Sequence, residues 1–138
     1  MPSVTGILET ALHAADLDAA QRFYQDLFGF ELMFGDARLR SLNVTGRQQV
    51  LLLFQKGGTG EPSVIPGGVI PGHDGAGRLH LAFAIERSEL DPWRQKLAAQ
   101  GVAIESTVNW ERGGTSIYFR DPDQHLLELV TPGCWPNY

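Results

Sequence analysis

Cysteine is nearly absent: the chain of 138 residues has one, Cys134. A lone thiol excludes an internal disulfide framework and a multi-cysteine zinc site. Basic charge is scarce as well. Eleven Lys+Arg stand against sixteen Asp+Glu, a formal net charge of −5, with no basic block. Phosphate neutralisation supplies most nucleic-acid affinity, so no nucleic-acid partner is expected. Long apolar runs are missing too. The longest, such as Val50–Phe54, are strand-sized, whereas a membrane helix needs about 20 residues. The start, Met1-Pro2-Ser3-Val4-Thr5, has neither the basic nor the apolar region of a secretory signal. These absences predict a cytoplasmic protein with no membrane partner.

What is present is average in amount and uneven in place. Hydrophobic residues are 43% and charged residues 20%, the balance of a soluble globular domain rather than a disordered chain. The length suits a single domain, residues 1–138, able to bury about two-thirds of its unfolded surface. Sixteen glycines and eight prolines favour many turns and short strands over a helical bundle. Eight of those glycines lie between Gly57 and Gly77, beside Pro62, Pro66 and Pro71. Such a stretch predicts a long connection, residues 57–77, with no regular element of its own.

The segments on either side of it, about 5–56 and about 78–134, read alike. In the first, a strand over Ile7–Ala14 precedes a helix over Leu17–Phe28. Asp16 is its N-cap candidate, Gly29 its terminator, and Leu17, Ala20, Tyr24, Leu27 and Phe28 form its apolar stripe. Strands follow around Phe30–Phe34, Arg38–Val44 and Val50–Phe54. In the second, a strand over Leu79–Ile85 precedes a helix over Glu89–Gln100. Ser88 or Asp91 would cap it, the latter with Pro92 at the first helical position, and Leu90, Trp93 and Leu97 form its stripe. Strands are expected at Val102–Ile104, Thr115–Arg120 and Leu126–Val130, the last two joined by a turn at Asp121-Pro122-Asp123-Gln124. Each segment is a β-α-β-β-β module.

Strand alternation sorts the polar residues. Glu9, Ala11 and His13 share one face of the first strand, and His80, Ala82 and Ala84 share the matching face of its counterpart. On the last strand, Leu127 and Leu129 take the core face and leave Glu128 on the other. A carboxylate between aliphatic neighbours needs a partner or a cation. Aligning Gln49–Phe54 with Gln124–Leu129 sets Leu53 opposite Glu128. The four related positions are then Glu9, Leu53, His80 and Glu128.

Several motifs now stand in order. Ala15-Asp16-Leu17-Asp18 runs into Arg22-Phe23-Tyr24-Gln25-Asp26-Leu27-Phe28-Gly29-Phe30. Leu79-His80-Leu81-Ala82-Phe83 follows, then Ser116-Ile117-Tyr118-Phe119-Arg120-Asp121-Pro122-Asp123 leading to Leu127-Glu128-Leu129. Over nearly the whole chain this order resembles the glyoxalase / bleomycin-resistance / extradiol-dioxygenase superfamily, the vicinal oxygen chelate fold. The resemblance implies an α+β fold in which tandem β-α-β-β-β modules form an open, cleft-enclosing mixed β-sheet. It implies metal ligands on the first and last strands of the modules, with His80 and Glu128 matching the second-module histidine and glutamate. Glu9 falls where many members have a histidine, and Leu53 where glyoxalase I-like members have a glutamate. Gln124 occupies a turn position where glycine is common.

One imidazole and two carboxylates, Glu9, His80 and Glu128, suit one divalent ion: Mn, Fe, Ni, Zn or Mg. Open positions on it would accept a small molecule through two neighbouring oxygens. The expected function is a glyoxalase-like metal-dependent enzyme, a lyase, isomerase or dioxygenase. The alternatives are a metal-free drug- or metabolite-binding protein, in which Glu9 and His80 pair with each other, and a ring-cleaving dioxygenase. Ring-cleaving sites usually hold two histidines and one carboxylate, the reverse of this ratio. By resemblance to glyoxalase, Glu128 would also shuttle a proton. His73, in the glycine-rich connection, is a candidate general acid or base or an exposed loop histidine. His13 lies ~13 Å along the strand from Glu9, so it is expected at the cleft mouth or at an exposed strand end. Ser116 and Tyr118 match residues that hold the substrate in fosfomycin-resistance enzymes, which this segment resembles. Arg38, Arg40 and Arg112 are candidates for steering an anion. Trp110 and Trp135 are expected in packing or an interface, Cys134 to be inert, and His125 to be structural. The resemblance and the aromatic segment Cys134–Tyr138 predict a homodimer.

Overall fold

The computed structural model describes residues 1–44, 46 and 48–138. The chain divides into two units, Met1–Ala76 and Gly77–Tyr138.

The first unit holds β1 (Glu9–Ala14), α1 (Leu17–Phe28), β2 (Glu31–Gly35), β3 (Leu39–Val44) and β4 (Gln49–Gln55). Its sheet order is β1-β4-β3-β2, with β1 parallel to β4 and the other pairs antiparallel. α1 starts where Asp16 Oδ1 accepts the Ala19 N–H at 3.1 Å, and Gly29 ends it in the left-handed region at φ 73°. Leu17, Ala20, Tyr24 and Leu27 are buried along one face, and Phe28 stacks on Phe30. The same unit ends in an antiparallel hairpin of β5 (Ser63–Ile65) and β6 (Gly68–Ile70). The connection between modules is therefore not devoid of regular structure. Pro66-Gly67 makes a turn inside Val64-Ile65…Val69-Ile70, a β-branched pattern that the surrounding glycines obscured.

The second unit repeats the plan with β7 (His80–Ala84), α2 (Leu90–Ala99), β8 (Ser106–Asn109), β9 (Thr115–Arg120) and β10 (Leu126–Val130). Its order is β7-β10-β9-β8, again with one parallel pair, β7 with β10. Neither Ser88 nor Asp91 caps α2. A 3-10 turn at Arg87–Glu89 leads into it, and Glu89 makes no side-chain capping bond. Pro92 is the third helical residue, where a missing N–H still costs no intrahelical bond. The strand expected at Val102–Ile104 forms later, as β8. The Val102 N–H is spent on the Leu97 carbonyl that closes α2, and pairing with β9 opens at Glu105, whose N–H reaches the Tyr118 carbonyl at 2.7 Å. Among the described residues no helix is long and apolar enough to cross a membrane.

Register corrects one alignment. Glu9 pairs with Val50, and His80 pairs with Leu126. Val50 thus corresponds to Leu126, and the counterpart of Glu128 is Leu52, not Leu53. A slip of one residue exchanges the faces of a strand, and Leu53 is indeed a core residue at 1% exposure.

Candidate functional site

One face of the second sheet carries a row of polar groups. His80 begins β7, and its position is set twice over. The Leu79 N–H donates to Nδ1 of buried His125 at 2.9 Å, and the Leu126 N–H donates to the Leu79 carbonyl at 2.8 Å. His125 is structural, as expected. The His80 ring then turns Nδ1 to the Leu126 carbonyl at 2.8 Å. A carbonyl only accepts, so Nδ1 carries a proton, and in the corresponding neutral tautomer Nε2 presents a lone pair. That lone pair faces Glu128 Oε2 at 3.2 Å. Glu128 is 6% exposed, whereas the His80 side chain is half exposed.

Two acceptors facing each other at that distance require a cation between them, either a second proton on the imidazole or a metal ion. Ligand bonds of about 2.1 Å at tetrahedral or octahedral angles separate donor atoms by about 3.0–3.4 Å. The His80–Glu128 pair therefore fits a divalent ion in donor type, in spacing and in the orientation of the imidazole by a backbone carbonyl.

Tyr118 lies directly across from Glu128 in the β9–β10 register. Burial, then its hydrogen bond to the Glu128 carboxylate, pushes the phenol above its ordinary pKa, while the Ser116 hydroxyl pulls the other way. Ser116, on the same face, is fully buried and accepts the Trp110 indole N–H at 2.8 Å. Trp110 is thus more than packing. The Gly113-Gly114 turn, which folds residue 110 back toward residue 116, was the signal for it. Cys134 is half-buried, and desolvation, then the Glu128 charge, raises its thiol pKa. A raised thiol pKa favours the protonated, less reactive form.

On the corresponding face of the first unit lies a cavity of about 480 Å³, lined among others by Glu9, Arg38, Leu52, Phe54, Ile70 and His73. Glu9 opens the edge strand β1 and is exposed. A strand's first residue on a sheet edge has few neighbours to cover it. His13 is neither exposed nor among the lining residues. It is 5% exposed, between Phe54 and His73 with ring centroids 5.9 and 6.3 Å away. His73 is held in place: its N–H donates to the Thr59 carbonyl at 2.9 Å, and Thr59 Oγ1 donates back to its carbonyl at 2.6 Å. The three arginines part company. Arg38 lines the cavity, Arg40 is tied to Asp18 and Gln21, and Arg112 is exposed.

The structure brings together His80, Glu128, Tyr118 and Ser116 in the second unit, and Glu9 and His73 around the cavity of the first. Among the described residues no group of three or more His, Cys, Asp or Glu side chains forms a ready metal cluster.

Comparison with known proteins adds the following. The family model described as Glyoxalase/Bleomycin resistance protein/Dioxygenase superfamily matches residues 6–129. A crystal structure of lactoylglutathione lyase from Agrobacterium tumefaciens superimposes with a TM-score of 0.87 at 31% identity, covering 98% of this chain and 99% of that one. Metallothiol transferase FosB of Shouchella clausii is 48% identical over 54 residues, 38% of this chain and 37% of the relative, so the matched stretch spans little more than a third of its length. The FosB of Lysinibacillus sphaericus is 28% identical over 131 residues, 94% of this chain and 84% of the relative.

Proposed function

The chain belongs to the Glyoxalase/Bleomycin resistance protein/Dioxygenase superfamily, and from that premise we propose that it is a divalent-metal-dependent enzyme acting on a small oxygenated molecule. His80 and Glu128 are the ligands that the second unit contributes. The observation that carries this reading is the His80–Glu128 pair, with Nε2 standing 3.2 Å from a buried carboxylate oxygen. The ion, when bound, supplies a Lewis acid for a substrate that presents two neighbouring oxygens.

The remaining roles fall to the chain's own groups. The Leu126 carbonyl keeps the proton on His80 Nδ1 and so keeps Nε2 available. Tyr118 faces the Glu128 carboxylate and offers its hydroxyl to a bound substrate, whereas Ser116, expected to touch the substrate, is fully buried against the Trp110 indole. His73, fixed by Thr59 on the cavity wall, is placed to exchange a proton with a molecule seated there. Several relatives are named for thiol chemistry: a metallothiol transferase, a glutathione transferase and a lactoylglutathione lyase. Their names favour a reaction that joins a low-molecular-weight thiol to a small oxygenated electrophile, or separates the two.

Metal analysis of protein purified without chelators, followed by Mn²⁺ titration, tests the reading. Stoichiometric metal is expected in the parent and its loss in Glu128→Gln. If the parent retains none, and the variant melts like the parent with and without added metal, a metal-free ligand-binding protein is left.

A further inference from the structure

The cavity of the first unit is lined by residues of that unit alone, and its walls are set before anything enters it. Its floor is one face of the sheet. Ala11 pairs with Leu52 across β1 and β4, and Leu39 pairs with Phe54 across β3 and β4. Ile70 and His73 supply a side wall from the segment after β4, and the backbone there is pinned. Thr59, fully buried, exchanges two hydrogen bonds with His73. Gly72 runs so close to Gly60 that a Cβ on it would overlap the Gly60 carbonyl. The His73 ring then meets Phe54 edge to face, with centroids 4.7 Å apart. A preformed, mostly apolar space of about 480 Å³ is of the size that takes a small organic molecule.

Two charged groups enter this space from opposite ends of the floor. Glu9 pairs with Val50, whereas the Arg38 carbonyl accepts the Gln55 N–H at 2.8 Å. Val50 and Gln55 stand about 16 Å apart along β4 at strand rise. Arg38 is half-buried. Its N–H donates to Asp36 Oδ1, but among the described residues its guanidinium makes neither a hydrogen bond nor an ion pair. Arg40, on β3, is the contrast, spent on Asp18 and Gln21. Withdrawing a charge from water without a partner costs free energy, and a ligand carboxylate would return a partner through two parallel N–H bonds. One guanidinium balances one negative charge. With the carboxylates of Asp36 beside it and Glu9 at the far end, a doubly charged phosphate monoester suits the space less well.

Resting on the reading that the substrate seats in this cavity, we propose that it is a monoanionic carboxylate with an apolar body. Its carboxylate lies on the Arg38 guanidinium and its body over Leu39, Leu52, Phe54 and Ile70. Arg38 is the residue that selects for charge. Glu9 repels a second anionic group and so sets which way round the molecule lies.

The test uses three probes with one shared body: naphthoate, the neutral naphthalenemethanol and the dianionic naphthyl phosphate. Calorimetric titration is done on the protein as purified and again after dialysis against a chelator. Charge-assisted hydrogen bonds are the strong ones, so naphthoate should bind about tenfold more tightly than the alcohol in both preparations, and the phosphate more weakly than naphthoate. Arg38→Gln should erase the preference for naphthoate over the alcohol, Arg38→Lys should keep part of it, and Arg112→Gln should leave it whole. Equal affinity for naphthoate and the alcohol, tighter binding of the phosphate, or a preference that survives Arg38→Gln overturns the proposal. So does failure of the parent to bind naphthoate. If Arg38→Gln folds poorly, the parent alone gives the reading. Raising salt to about 0.5 M should weaken naphthoate and leave the alcohol unchanged, and salt-independent naphthoate binding overturns the proposal. A preference lost with the metal belongs to the ion, and overturns this proposal while the metal reading stands. The metal reading fails on its own measurement, the Mn²⁺ titration, and the chelator-treated protein still decides the role of Arg38.

Discussion

Asp121 shows how one buried carboxylate can organise a site it does not enter. At 3% exposure, its Oδ1 accepts the N–H groups of Asp123 and His125, each at 2.9 Å. The turn thus made sets His125, and His125 in turn holds the approach to His80. Asp121→Ala leaves two amides without their acceptor, at a cost of about 1–3 kcal/mol each if neither finds water. A lowered urea midpoint with an unchanged slope is expected. Gly75 is constrained differently. A Cβ there would lie 2.5 Å from the His13 imidazole, and His13 is enclosed by Phe54 and His73. Gly75→Ala should therefore destabilise by about 1–3 kcal/mol through overpacking, visible as a lower melting temperature. Asp36 carries a pH signature. Its carboxylate accepts the Arg38 and Leu39 N–H groups at 2.8 and 2.9 Å, and those bonds, ahead of the neighbouring arginine charges, hold its pKa below the ordinary 3.8. A group depressed in the folded state stabilises it above the unfolded pKa and ceases to as pH falls through the folded one. Local protection of the Arg38 and Leu39 amides should accordingly be flat near neutrality and fall only below pH 3.8. Protection that already declines between pH 7 and 5 would contradict this assignment.

Elements differed in how openly the sequence declared them. α1, β9 and β10 lie where capping, periodicity and alternation put them, because Asp16, Gly29 and the Asp121 turn are strong local signals. α2 does not use the obvious caps, since the 3-10 turn before it takes up Ser88, and Asp91 and Pro92 end up inside the first helical turn. β8 was misplaced because Ser-Thr-Val-Asn is a polar edge strand whose existence depends on β9 rather than on its own pattern. The β5–β6 hairpin was hidden among glycines. In the site, the shared face of His80 and Glu128 was readable. The face of Leu52, the burial of His13 and the reach of Trp110 were not, because each depends on cross-strand register. A difference between the two helices follows. Asp16→Ala should cost about 1 kcal/mol, whereas Glu89→Ala, which removes no capping bond, should stay within about 0.5 kcal/mol; chemical denaturation compares them directly. In the turn before β10, Gln124 sits at φ 66°, a conformation costing a side-chain-bearing residue about 1 kcal/mol. Gln124→Gly should leave stability equal or slightly higher, and a clear loss would show that the glutamine side chain holds the turn.

At the scale of the molecule, β1 and β2 are the outer strands of the first sheet, and β7 and β8 those of the second. β2 exposes Leu32, Met33 and Phe34, and the β5–β6 hairpin exposes Val64, Ile65, Val69 and Ile70. Apolar side chains on an edge strand are normally covered by a partner or protected by charge. A homodimer is the expected state. Light scattering should return twice the 15.2 kDa of the chain, and a monomer at micromolar concentration would count against it.

The correspondence of Leu52 with Glu128 gives two copies of one plan different chemistry at the same point. The second sheet presents a carboxylate there. The first presents hydrocarbon, in the wall of the cavity that Glu9 also lines. A substitution at Leu52 is thus a change that alters the cavity wall without touching the His80–Glu128 pair.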